Sequence, residues 1–188
     1  MNIAIIGKGN MGGKLGPLLE AAGDTVTLVG RGEAVPRDAD LVILAVTAPG
    51  VESALAAAGD LSGKIVIDMV NPIGPGLQLS VGLTTSVAEE VQKLQPKARV
   101  VKAFNTVFAE LLDIDYSENA NPPQVLFCGD DADAKATVAA LIERLGLEPY
   151  DCGPLVVARF LEPIGGLIVH MAYGQNRGTR FAPRIDQY

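Results

Sequence analysis

Residues 1–12, Met1-Asn2-Ile3-Ala4-Ile5-Ile6-Gly7-Lys8-Gly9-Asn10-Met11-Gly12, carry the pattern that decides the fold. A short apolar run, Ile3 to Ile6, breaks into Gly-x-Gly-x-x-Gly and passes into a segment where Leu15, Leu18, Leu19 and Ala22 fall at helical spacing. Strand, tight turn and helix N-terminus in that order make a dinucleotide-binding turn. Gly7 permits the turn, Gly9 lets the backbone approach a pyrophosphate, and Gly12 lets the helix pack close to the strand. Free N–H groups at the positive end of the helix would hold the pyrophosphate. Lys8, Asn10 and Met11 complete this part of the expected site.

Outward from the turn, apolar runs alternate with helical periods. Thr25 to Val29 is β-branched and reads as a second strand. Leu41 to Val46 is a continuous apolar run of the kind found in a sheet covered on both faces. A helix over roughly 49–58, a strand Ile65–Ile67, a helix Thr85–Leu94 with Ser86 and Glu89 as a capping box, and a strand Arg99–Ala103 follow. Val125 to Cys128 is a sixth strand. Asp130 is the expected cap of a helix Ala132–Leu145 that Gly146 ends, and Leu147 to Tyr150 is a last short strand. This is the pattern of an α/β protein with a Rossmann-type doubly wound parallel sheet. Between Gly30 and Asp40, Pro36 leaves little room for a crossover helix, so a short irregular connection is predicted. Residues 1–153 form the expected dinucleotide-binding domain, and 154–188 a C-terminal helical segment that completes the pocket.

At 188 residues the chain has room for one domain with a sizeable core. Its net charge of −7 argues against a nucleic acid or a membrane surface as partner, since either wants a basic face. The N-terminus enters the first strand directly, so no secretory leader is expected. Leu155 to Tyr173 is long and apolar, but Arg159, Glu162, Pro163 and His170 interrupt it. Two buried helices, Leu155–Leu161 and Ile164–Tyr173, are expected there in place of a membrane span. Their surplus apolar surface predicts a homodimer. Cys128 and Cys152 are too few for a disulfide framework or a zinc site, and fit a cytoplasmic protein with two buried thiols.

The cofactor is read at the end of the second strand. An NAD site usually carries an acid there for the ribose 2′-hydroxyl; this chain has Val29-Gly30-Arg31. Arg31 offers a planar fork that can hold a 2′-phosphate and lie against adenine, and Arg37 could add a second charge. The reading is NADP(H), with Glu33 nearby leaving NAD open. Ligands of open sheets lie beyond the carboxyl ends of the strands, near the point where strand order reverses. The loops available there are Thr47-Ala48-Pro49, Asn71-Pro72 and Asn105-Thr106, short polar segments suited to the nicotinamide side.

Several stretches together resemble a known family. Ile5 to Gly12, Val29-Gly30-Arg31, Ala39 to Val46, Gly129-Asp130-Asp131-Ala132 and Gly153 to Arg159 are similar to the NADP oxidoreductases dependent on coenzyme F-420 (F420), an 8-hydroxy-5-deazaflavin. Val101-Lys102-Ala103-Phe104-Asn105-Thr106 is also similar to the cytoplasmic reductase domain of the six-transmembrane metalloreductases. The likeness implies NADP(H) at the carboxyl edge of the sheet, F420 or a flavin stacked on the nicotinamide, and hydride passing between the two rings. It further implies that Thr47, Asn105 and Ala109 surround the nicotinamide, with Asn71 and Pro72 close by. Such a transfer needs alignment more than acid–base help, so no catalytic side chain and no metal ligand is expected. The family's deazaflavin enzymes carry a histidine where this chain has Asn105. The small-molecule acceptor therefore stays open between F420, a flavin, a quinone, a ferric species and a small electrophile.

Two rivals bound this reading. Hydroxyacid dehydrogenases open with a similar turn, but need a long helical domain with a catalytic lysine, and no lysine follows Lys135 here. A non-catalytic NADP(H)-binding redox sensor is the rival from another class. Of the remaining residues, His170 reads as a packed or interface histidine. Asp130, Asp131 and Asp133 read as an acidic helix start and not as a metal site. Arg177, Arg180 and Arg184 form a basic cluster that could meet an anionic acceptor tail or be a mobile end.

Overall fold

The computed structural model describes residues 1–116 and 121–188. Its strands are Asn2–Ile6 (β1), Thr25–Val29 (β2), Leu41–Leu44 (β3), Ile65–Asp68 (β4), Arg99–Lys102 (β5), Gln124–Gly129 (β6) and Glu148–Asp151 (β7). They form a sheet in the order β2-β1-β3-β4-β5-β6-β7. β1 to β5 are parallel, as the alternation of strands and helices predicts. β6 is not: it runs antiparallel to β5, pairing Val101 with Gly129 and Lys102 with Cys128, and β7 is parallel to β6. The reason is the connection. A parallel neighbour needs a crossover, usually a helix, and between β5 and β6 the described residues hold only the 3-10 turn Ala109–Asp113. The sheet is thus mostly, not wholly, parallel.

Side-chain alternation along the strands sorts the core into two layers. Ala4, Ile6, Val42, Leu44 and Val66 meet helices Val51–Ala58 (α2), Val87–Leu94 (α3) and Ala158–Val169 (α5), through Leu55, Val91, Ala158 and Leu161. Ile3, Ile5, Leu41, Ile43 and Ile67 meet helices Asn10–Ala21 (α1) and Ala132–Arg144 (α4), through Leu15, Leu19, Val138 and Leu141. Residues 30–40 join β2 to β3 without a helix, and β3 lies on the far side of β1 from β2. That reversal of strand order is where Gly7 leaves β1.

Three local expectations change. Asp131, not Asp130, caps α4, because its carboxylate is the one that reaches the Ala134 N–H at 2.7 Å. Asp130 instead accepts from the Leu155 N–H. Ser86 caps α3 by accepting from the Glu89 N–H, but the Glu89 carboxylate turns to the Ser86 hydroxyl and to Arg159, so the box forms by half. Leu155 to Gly174 is one run and not two helices: a 3-10 turn leads into α5, which ends in the π turn His170–Gly174. Pro163 removes a single backbone hydrogen bond, which the packed side of the helix outweighs. By length and composition this run could cross a membrane; here Ala158, Leu161, Gly165 and Ile168 are packed inside the fold.

Candidate functional site

Gly7, with φ of +118°, turns the chain from β1 toward α1. A Cβ on Gly7 would overlap the Ala45 carbonyl beyond β3, and one on Gly12 would overlap the Gly7 carbonyl. Both glycines are therefore required by the chain itself. Gly9 differs. Nothing lies within 4 Å of a Cβ placed there, and its φ of −79° suits any residue. The helix that follows has no side-chain cap, so its first N–H groups keep their hydrogen-bonding capacity. Lys8 is exposed beside this turn, as is Arg31 after β2.

A cavity of about 230 Å³ opens next to the start of α1. Asn10, Met11, Asn71, Asn105 and Ala109, all named from the sequence, line it together. Thr47, Ala48 and Pro49 do not: they form the turn after β3, with Thr47 and Pro49 exposed. Pro72 is buried behind Asn71, and Gly30 lies in the turn after β2. The remaining wall was not foreseen and includes Phe104, Phe108, Glu110, Ile168 and Tyr173. Phe104 has φ of +62°, a strained conformation for a bulky side chain that costs about 1–3 kcal/mol. Phe108 meets Tyr173 edge to face at 6.1 Å and Phe181 at 5.6 Å.

The cavity floor is an interlocked asparagine pair. Asn71 Nδ2 donates to the Asn105 carbonyl at 2.7 Å, and Asn105 Nδ2 donates to Asn71 Oδ1 at 3.0 Å and to the Leu161 carbonyl at 2.8 Å. Gly165 of α5 makes this possible, because a Cβ there would overlap Asn71 Oδ1. Asn105 is only 4% exposed, yet its Oδ1 has no donor. A buried acceptor left unpaired costs about 1–3 kcal/mol.

Beneath the floor lies a buried ion network absent from the sequence expectations. Lys102 Nζ donates to Asp68 Oδ2 and Glu162 Oε1, each at 2.9 Å, and to the Val70 carbonyl. All three ammonium hydrogens are used, and Lys102, Asp68 and Glu162 are fully buried. Asp68 also accepts from the Val70 N–H, and Glu162 from the Val87 and Ala88 N–H groups at the positive end of α3. Burial pushes the Glu162 carboxyl up, against the pull of Lys102. A lysine closing the apolar run Val100-Val101 and a glutamate inside an apolar helix were the available signals. Because Leu161 precedes Glu162, the network fixes α5 where its carbonyl meets Asn105.

Other candidates fall outside this centre. His170 is exposed, with its ring against Gly174, and is not packed in the core. Burial pushes the Cys128 thiol up to about 12; Cys152 is only half-buried, against the expectation of two buried thiols. Arg184 is no loose end: it pairs with Glu148 at 2.7 Å and Asp186 at 2.8 Å.

Comparison with known proteins matches residues 14–72 to the family model of the NADP oxidoreductases, coenzyme F420-dependent. A crystal structure from Arthrobacter sp. FB24, of a protein proposed to be an F420-dependent NADP reductase, superposes with a TM-score of 0.88 at 28% identity, covering 100% of both chains. Over residues 14–72 the chain is thus similar to the F420-dependent NADP oxidoreductases. Over 125 residues, 66% of its length, it is also 34% identical to the rat (Rattus norvegicus) metalloreductase STEAP3, of which it spans 25%. A hypothetical protein from Sinorhizobium meliloti, SMa0349, shares the fold with a TM-score of 0.71 at 29% identity, over 84% of this chain and 88% of that one.

Proposed function

We propose that the protein is an NADP(H)-dependent oxidoreductase that passes hydride between the nicotinamide and a planar small-molecule acceptor, with F420 as the first candidate. Gly9 carries the reading. No atom of the chain requires glycine there, so the missing side chain leaves room for a pyrophosphate at the uncapped start of α1. Lys8, Gly30 and Arg31 would hold the 2′-phosphate end, and the turn Thr47-Ala48-Pro49 would flank the path to the cavity. The free Asn105 Oδ1 suits the N–H of a carboxamide. NADP(H), when bound, supplies the hydride from its nicotinamide ring. The chain's own part is alignment: the Asn71–Asn105 floor is locked from below, and Phe104, Phe108 and Tyr173 keep the wall apolar.

At about 230 Å³ the cavity is smaller than the roughly 300 Å³ at which ligand pockets begin, so it takes one ring and the acceptor stacks from the mouth. Residues 1–153 then carry the cofactor, and 154–188 close the pocket through Ile168 and Tyr173. Phe160, Leu167 and Tyr173 are 60%, 58% and 58% exposed, and a second copy over this surface would make a homodimer and cover the mouth. Two free thiols go with a cytoplasmic setting. A flavin is the second reading of the acceptor, favoured by Asn105 in place of the deazaflavin enzymes' histidine, and the likeness to a metalloreductase adds a ferric species.

The test is NADPH oxidation followed with F420, a flavin, a quinone and a ferric chelate. Turnover with F420 above the other three is expected. NADPH binding without turnover on any of them turns the reading to a redox sensor. Light scattering should give a dimer mass, and a monomer across micromolar concentrations removes the dimer.

A further inference from the structure

The turn after β2 already holds an anion of its own. Glu33 folds back so that its Oε2 accepts from the Gly30 N–H at 2.5 Å and lies 3.8 Å from Lys8 Nζ. The carboxylate sits so close to Gly30 that a Cβ there would meet it at 3.0 Å. Arg31, one residue on, is exposed and has no ion pair among the described residues. The side chains of Glu33 and Lys8 are 59% and 53% exposed, so water screens their pairing and a stronger anion can displace it.

We propose that Glu33 is a specificity-determining residue: an internal carboxylate that occupies the anion-binding groups of this turn and competes with the 2′-phosphate of a phosphorylated dinucleotide. The inference rests on the cofactor reading above and adds a counterweight to Arg31. A 2′-phosphate carries roughly −1.5 to −2 charge near neutral pH. It needs the Lys8 ammonium and the Gly30 N–H that Glu33 now engages, and with the carboxylate in place it meets a like charge. A cofactor with a free 2′-hydroxyl meets the opposite situation, because the carboxylate accepts that O–H. Glu33 therefore weakens the phosphorylated form and strengthens the plain one, which narrows the preference that Arg31 sets. Glycine at position 30 is what lets the carboxylate lie this close.

The test uses the full chain and probes of the adenosine half alone, 2′,5′-ADP and ADP, by titration calorimetry on wild type and Glu33→Gln. The glutamine keeps the size and removes the charge at an exposed position, and circular dichroism checks that the fold is kept. We expect 2′,5′-ADP to bind about five- to tenfold tighter to the variant at low salt, the scale of one solvent-exposed charge pair. ADP should bind equally or more weakly, and the gain should shrink toward 1 M salt as the charges are screened. If the variant leaves both affinities unchanged or moves both alike while wild type still prefers 2′,5′-ADP, the role of Glu33 is wrong and the cofactor reading stands. If wild type prefers ADP or binds neither probe, both fall.

Discussion

The turn around Gly9 and the floor around Lys102 serve the same edge of the sheet on opposite terms. In the turn, Lys8, Arg31 and Glu33 stand in water, where each pairing is screened and any one can be exchanged at small cost. Beneath the floor, Lys102, Asp68 and Glu162 are sealed, and each holds the others in a medium that does not forgive an unpaired charge. The contrast teaches where the molecule can change. On the proposed reading, choice of nucleotide is adjustable at the surface, whereas the alignment of the reacting end depends on groups that cannot be altered singly.

The strongest way to break this contrast is Lys102→Met, which leaves two buried carboxylates without their cation. A stability loss of about 3–5 kcal/mol is expected in chemical denaturation. A loss below about 1 kcal/mol would show that the floor is as tolerant as the turn. Next come the glycines. Gly12→Ala forces a Cβ into the Gly7 carbonyl and should cost about 1–3 kcal/mol. Gly9→Ala should stay within about 0.5 kcal/mol of wild type in stability, yet weaken NADPH binding about tenfold or more. Equal destabilisation by the two alanines would remove the argument for a ligand at Gly9.

Asn105→Ala gives up two hydrogen bonds and the free acceptor, for an expected stability loss of about 1–2 kcal/mol. Steady-state kinetics should show kcat falling more than KM rises, because on the proposed reading the residue aligns the reacting end and not the adenosine. The smallest effect concerns pH, at the opposite edge of the sheet. Burial alone would raise the Asp24 carboxyl, but hydrogen bonds from the N-terminal ammonium and Arg144 outweigh it and hold it below its ordinary range. Its folded pKa is thus lower than the unfolded value of about 3.9. The stability it adds is present above that value and is lost as pH falls through the folded one. Melting curves of wild type and Asp24→Asn should accordingly lie apart at neutral pH and converge as pH drops below about 4.

Much of the frame was legible because its causes are local. The strand–turn–helix of residues 1–22, the helix-free link between β2 and β3, and the continuous apolar run of β3, buried on both faces, all follow from spacing within short windows. The sense of β6 was not legible from its own residues. Val125 to Cys128 reads equally as a parallel or an antiparallel strand, and the connection before it, whose described residues hold no crossover helix, decided the matter. The cap of α4 moved from Asp130 to Asp131 because neighbouring carboxylates are indistinguishable until one of them meets the Ala134 N–H.

By itself, then, the sequence determined a glycine turn ending a parallel strand, an arginine in place of the usual acid after β2, and an apolar C-terminal run. Only the tertiary structure decided that Gly7 and Gly12 are demanded by the chain while Gly9 is not, since the atoms that crowd Gly7 come from β3's far end. It also decided that Asn71 and Asn105, 34 residues apart, interlock under α5, and that Lys102 finds Glu162 60 residues away. Periodicity reports which side of an element is buried. Which partner it meets depends on the order of the strands and the packing of helices across them, and that order is set by the whole chain at once.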